Sequence, residues 1–307
     1  MKKIFSYSGI LLLIWFSACN NAHNDLSPEP VNPIPGVDVV YLPVVVHVLH
    51  SGEHTGIGPN LSEERIKRQI EILNEDFRRK EGTRGYNNHP NGGDAMIEFV
   101  LAKQSPEGEP SDGINRIDIS KVKVPGLGYN QNHYAQYDYW DTSLYINIWT
   151  TPLPESTQCI VLGSATGPET DLPGTKNLLL PGPDDAEGIL INWMHFGESD
   201  IDCHAKYGRT LTHEMGHYLG LLHTWGALDC ELNDYCDDTP AVDIPVFGRN
   251  YFIGCQGETA MIENYMNYTD DEVMNIFTND QIKRMHYVLK NHNGRNSLVS
   301  SRGLDSP

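Results

Sequence analysis

Residues 213–223 read His-Glu-Met-Gly-His-Tyr-Leu-Gly-Leu-Leu-His. Four residues on a helix advance about 400°, so His213 and His217 project from one face, one turn apart, within reach of the same ion. Glu214 stands beside the first histidine, where its carboxylate can take a proton from water at that ion. Gly220 permits a positive φ, which ends the helix and turns the chain so that His223 supplies a third ligand. Three protein ligands leave a position open for water and substrate, the arrangement of a catalytic zinc site rather than a structural one. Single histidines such as His47, His50 or His195 read as polar or satisfied core residues. The spaced set does not, because five fixed residues would coincide by chance in only about one such chain in ten thousand. The implied chemistry is zinc-dependent hydrolysis.

A ligand pair one turn apart needs a helix, and the apolar spacing predicts one over about 209–222. Other elements must carry it. The run VVYLPVVVHVL from Val39 is β-branched and almost continuously apolar, as expected of a strand buried on both faces. Ser62 can cap a helix in which Ile66, Ile70, Leu73 and Phe77 recur at helical spacing, ending near Arg79. Residues 96–102, 143–150 and 189–196 read as strands, and Thr278 caps a last helix through Ile282, Met285, Val288 and Leu289. Between the histidines and that helix lies a long Gly/Asp/Pro-rich stretch. The fold class expected is α/β (α+β), a mixed sheet with helices and no internal repeat.

Residues 263–269, Glu-Asn-Tyr-Met-Asn-Tyr-Thr, supply a methionine turn of the kind that accompanies the long histidine signature. With the loop Asp234-Tyr235-Cys236-Asp237-Asp238-Thr239-Pro240, the stretch from Gln69 to Phe77 and the strand Leu144-Tyr145-Ile146-Asn147-Ile148-Trp149, the sequence resembles the pappalysin family, the ulilysin-like metzincins. The similarity covers most of residues 39–291 and is weaker between Gly82 and Tyr139. It implies a metzincin-type catalytic domain over 39–307, with a twisted mixed sheet, backing and active-site helices and a helical C-terminal subdomain. By that resemblance Met266 forms an apolar floor under the histidines, and Tyr268 hydrogen-bonds the oxyanion of the tetrahedral intermediate. Asp271 lines the pocket for the residue after the scissile bond, which implies a preference for Arg or Lys there, against a plain reading as a solvated loop acid. Asn233 and Asp237 through carbonyls, with Asp234 and Thr239 through oxygen, would hold Ca²⁺ beside the cleft. Cys230 and Cys255 match a family disulfide, while Arg249 and Val273 fall near where a second bridge would be.

The chain has 307 residues and a formal charge of −19, which repels phosphate backbones and anionic lipid. Nucleic acid is not expected as a partner; protein or peptide substrates are, with membrane contact only through a lipid anchor and the chain a monomer. Residues 1–19 have the layout of a signal segment, with Lys2 and Lys3 before the apolar run from Ile10 to Phe16. Phe16-Ser17-Ala18-Cys19 resembles a bacterial lipobox, which makes Cys19 the acylated N-terminus of an envelope lipoprotein; ordinary cleavage near Ala18 is the alternative, and either exports the chain. Residues 20–38, with four prolines, read as a tether. Export permits disulfides, and spacing leaves the pairing of Cys159, Cys203 and Cys236 open. Two other functions fit a zinc site: an inactive zinc-stabilised adhesion module, and a zinc amidase or esterase. Glu214, Met266 and Tyr268 together favour the endopeptidase.

Overall fold

The computed structural model describes residues 39–121, 130–157, 159–175, 186–231 and 233–307; the expected signal segment, tether and Cys19 lie outside them. In chain order the elements are β1 (Val40–His50), α1 (Glu63–Phe77), β2 (Ile97–Leu101), β3 (Ile114–Asp118), α2 (Gln131–Ala135), β4 (Ile146–Thr151), β5 (Gly163–Ala165) and β6 (Ile189–Asn192). Then follow α3 (Arg209–Tyr218), β7 (Phe247–Gly248), β8 (Tyr268–Thr269), α4 (Asn279–Asn291) and α5 (Asn293–Asn296).

The main sheet runs β2-β1-β4-β6-β5, with β3 also on β1. β1 is the spine: residues 40–44 pair with β2 and 46–50 with β3 on one side, while 44–48 pair with β4 on the other, all parallel. That central place accounts for its apolar run, since a parallel strand flanked on both sides is covered on both faces. Pro43 is tolerated because its missing N–H falls on the β4 side, one residue before that ladder begins at Val44. At the other edge β5 lies antiparallel on β6.

Helices α1 and α3 cover one face. Ile66, Ile70, Leu73 and Phe77 of α1 and Leu211 and Met215 of α3 close over Val44, Val46 and Ile148 in one apolar cluster. Ser62 caps α1 by accepting from Arg65 N, and Thr278 forms a full capping box with Gln281 on α4. On the opposite face Tyr134 of α2 packs with Leu49, Trp149 and Leu190.

Several expected boundaries move. α3 stops at Tyr218 rather than near 222, because the chain must leave the helix before Gly220, at φ +89°, to aim His223. The strand expected from 143 begins at Ile146, since Asp141 and the two residues after it form a turn whose backbone N–H groups at Leu144 and Tyr145 bond to Asp141 O. The strand expected to 196 ends at Asn192, whose side chain caps a single 3₁₀ turn at 193–195. Beyond α3 the chain is mostly irregular until α4. No helix among the described residues is long and apolar enough to cross a membrane.

Candidate metal centre and substrate cleft

Helix α3 brings His213 and His217 onto one face, and the turn at Gly220 returns His223 to them. The three Nε2 atoms form a triangle with edges of 3.1 Å (213 to 217), 3.0 Å (217 to 223) and 3.2 Å (213 to 223). Three imidazole nitrogens this close, all aimed at one point, match the donor set and reach of a single Zn²⁺ ion, for which Zn–N is about 2.0–2.1 Å. The other ring nitrogens are committed: Nδ1 of His213 to Tyr265 O at 2.7 Å, and Nδ1 of His217 to Leu221 O at 2.8 Å. Each can only be the donor there, which fixes the tautomer and leaves Nε2 as a lone pair. His223 is oriented by stacking on Trp225, centroids 4.2 Å apart. Burial, and after it the neighbouring His217, lowers His213 to about 3, and burial lowers His217 to about 4, so both rings are neutral. The residues fit the ion.

Met266 is fully buried beneath this triangle's helix; a Cβ on Gly216 would meet its sulfur at 2.5 Å, so the glycine is what allows the contact. A comparable approach occurs above Glu214. A Cβ on Gly163 of β5 would lie 2.8 Å from Glu214 Cγ, so the edge strand passes directly over the carboxylate. Burial pushes Glu214 up to about 8, and a cation held by the histidines beside it would favour the carboxylate and draw that value back down.

The cleft has two compartments that share Gly163, His213, Glu214 and Tyr268. Tyr268, on β8 and 40% exposed, stands edge-on to His223 and Trp225. One compartment, about 590 Å³, reaches from Ile160 and Phe247 down to Asp271. Asp271 is only 4% exposed, which removes the reading as a solvated loop acid. Its Oδ2 accepts from the backbone N–H of Tyr207 (2.8 Å) and of Arg209 (3.2 Å), and burial pushes its pKa up to about 6 against those bonds. The other compartment, about 500 Å³, is lined by Gly163, Gly174, Leu222, Asn233 and Tyr235.

Sequence reasoning missed the support beneath. Arg209, first residue of α3, reaches Asp76 of α1 at 2.9 Å with both side chains fully buried, and Thr212 donates to the other Asp76 oxygen at 2.7 Å. Removing one partner of such a pair costs about 3–5 kcal/mol. Asp76 lies in the quoted 69–77 stretch, but nothing local marks its partner 133 positions away.

In the loop after α3, Asp234 and Thr239 come together, Oγ1 to Oδ1 at 2.7 Å, while Asn233 is half-buried and Asp237 exposed. Asp234 Oδ2 and Asp238 Oδ1 are buried without a hydrogen-bond partner, and burial pushes Asp234 up to about 7. Cys230 and Cys255 are bridged as expected. Cys159 and Cys203 form a second disulfide beside the Asp271 compartment, and Cys236 is free and buried. His47 and His195 are buried and hydrogen-bonded, to Asn147 and Ala205 O.

Sheet, active-site helix, returning third histidine and methionine turn together define the metzincin class of catalytic domain. The family model Peptidase_M43, Pregnancy-associated plasma protein-A, matches residues 129–290. An extracellular metalloprotease of Verticillium alfalfae is 42% identical over 261 residues, 81% of this chain and 76% of that one. One from Arthroderma benhamiae is 35% identical over 140 residues, 44% of this chain. That match spans 45% of the fungal protein's length. Among solved structures, mature mirolysin of Tannerella forsythia in complex with a cleaved peptide superposes with a TM-score of 0.67 at 30% identity, covering 85% of this chain and 95% of that one. Mirolysin bound to a small compound gives 0.70 at 30%, covering 87% and 98%. The chain belongs to the Peptidase_M43 pappalysin family.

Proposed function

We propose that this protein is a zinc-dependent endopeptidase that acts outside the cytoplasm and prefers Arg, then Lys, after the scissile bond. The observation that carries it is the trio of neutral Nε2 donors, 3.0–3.2 Å apart, with Glu214 beside them at the meeting point of two open compartments. His213, His217 and His223 would hold Zn²⁺, which when bound supplies a Lewis acid and lowers the pKa of water.

The chain's own residues then divide the work. Edge strand β5 offers main-chain groups to an extended peptide and sets its carbonyl over α3. Glu214 takes the proton of the attacking water on its carboxylate and delivers it to the departing amine nitrogen. Tyr268 directs its hydroxyl at the oxygen that gains charge. Asp271, at the end of a long compartment whose mouth is the exposed Ile160 and Phe247, suits a side chain with an aliphatic stem and a cationic tip.

Ca²⁺ would bind at Asn233, Asp234, Asp237 and Thr239, supported by the unpartnered buried oxygen of Asp234. Calorimetric titration of the chelator-treated protein with Ca²⁺ tests this: heat and a rise in Tm are expected, and neither in Asp234→Ala. Export rests on the signal-like residues 1–19 and on the extracellular relatives, and Cys19 acylation is checked by lipid labelling of a Cys19→Ser variant. The central test is digestion of a denatured protein mixture, with cut sites mapped by mass spectrometry. Cuts before Arg and Lys are expected, abolished by a zinc chelator and restored by Zn²⁺. Cleavage that persists in chelator with no bound zinc overturns the proposal.

A further inference from the structure

The compartment opposite Asp271 has its own chemistry. Among the described residues lining it, Glu214 and the three histidines belong to the shared centre; the rest are mostly small or apolar, with Gly174, Leu222, Ala227 and the ring of Tyr235 on the wall and Ser164 and Asn233 as uncharged polar groups. Tyr235 is not a loose surface side chain. A Cβ on Gly174 would meet Tyr235 Cε2 at 2.6 Å and Leu222 Cδ1 at 2.5 Å, so ring and leucine both pack against the glycine where a side chain would project. The backbone of Tyr235 is held at φ +57°, with its N–H donated to Asn233 Oδ1 at 2.8 Å. Next door, Cys236 N binds Asp234 Oδ1 at 3.1 Å. A tyrosine in the left-handed region is uncommon, and here that conformation delivers the ring to the cleft. The outcome is an aromatic ring on the wall of a cavity of about 500 Å³, with Gly163, Gly167, Gly174 and Gly226 among the other residues that line it.

We propose that Tyr235 is a specificity-determining residue, and that this compartment takes an aromatic or branched apolar side chain from the part of the substrate before the scissile bond. The inference rests on the endopeptidase reading, in which Asp271 receives the residue after that bond and the opposite side of Glu214 receives those before it. An aromatic ring offers stacking and area but no charge, and the glycines leave room for a large group. Apart from Glu214, which the reaction itself uses, the described lining offers a charged side chain no counter-ion. The two compartments therefore select opposite chemistries: apolar before the bond, cationic after it.

The test uses the zinc-loaded protein and quenched fluorescent peptides with Arg fixed after the scissile bond. Each of the three preceding positions is varied in turn through Phe, Leu, Asp and Gly. In the wild type, one position is expected to favour Phe and Leu over Gly by about tenfold in kcat/KM, with Asp disfavoured. Tyr235→Gly, which adopts φ +57° without strain, should bring that ratio to within about twofold of unity while the preference for Arg over Ala after the bond remains. Tyr235→Phe should retain the ratio, since the ring and not the hydroxyl is the wall. An unchanged ratio in Tyr235→Gly, or a wild type with no apolar preference at any of the three positions, overturns the inference and leaves the endopeptidase standing. Failure of the wild type to cut any peptide overturns both.

Discussion

The two compartments of the cleft meet at Glu214 and Tyr268, yet they are built on different principles. The Asp271 compartment ends in a buried carboxylate cradled by two backbone N–H groups, and Arg209 ties that cradle to the interior through Asp76. The Tyr235 compartment is lined largely by the loop after α3 and by glycines, and among the described residues its only acid is the shared Glu214. Buried charge selects by pairing, whereas an aromatic wall selects by shape and area. Changes at the shared groups should therefore alter the rate for every substrate, and changes at the unshared groups should alter only the choice among substrates.

Glu214→Ala is the strongest probe of the shared centre. It should lower kcat/KM by roughly 10²–10⁴ for all peptides alike, with zinc retained by elemental analysis. A loss confined to Arg-containing peptides would mean that the compartments do not share this residue functionally. Tyr268→Phe comes next. Loss of a hydroxyl used only in the transition state should cost about 3 kcal/mol in kcat with KM little changed. A KM effect instead would make Tyr268 a wall rather than a participant.

At Asp271 the comparison itself is tested. Oδ2 is already committed to two N–H groups, leaving chiefly Oδ1 for a guanidinium, so Asp271→Asn should weaken cleavage before Arg by about 2 kcal/mol. Peptides with Ala after the bond should hardly respond, and equal losses for both would show a structural role. The smallest effect is on pH. Burial lifts Asp271 to about 6, so the carboxylate is charged above that value and neutral below it. The ratio of Arg to Ala cleavage should fall about tenfold from pH 7 to pH 5, read as a ratio so that the titration of the shared centre cancels. The apolar preference before the bond should not change over the same range.

What could be read from the sequence follows the range of the interactions involved. The histidine trio was legible because a one-turn spacing and a terminating glycine are local facts, and the caps at Ser62 and Thr278 were legible for the same reason. Asp271 came through resemblance, but its burial depends on Tyr207 and Arg209, more than sixty positions earlier. The Asp76–Arg209 pair joins two helices separated by most of the sheet, and no periodicity announces it. β5 escaped notice because three residues of Gly-Ser-Ala carry no apolar alternation, although the strand's closeness to Glu214 demands such small residues. β3 escaped because all five of its residues are only half-buried. The Cys159–Cys203 bridge links segments 44 positions apart, and nothing in their spacing distinguishes it from other pairings.

The central place of β1 also sets a problem in time. It is made early, but Ile146, which pairs with Val44, follows 102 positions later. At about 5–20 residues per second, a growing chain would hold this strand without that neighbour for roughly 5–20 s. Val-Val-Val-His-Val-Leu is meanwhile the kind of short, uncharged, β-branched segment that pairs with copies of itself. Pro43 at one end and His47 within it interrupt that tendency only in part. Newly made chains should therefore depend on a holding chaperone until β4 emerges, and refolding from denaturant should lose yield as protein concentration rises.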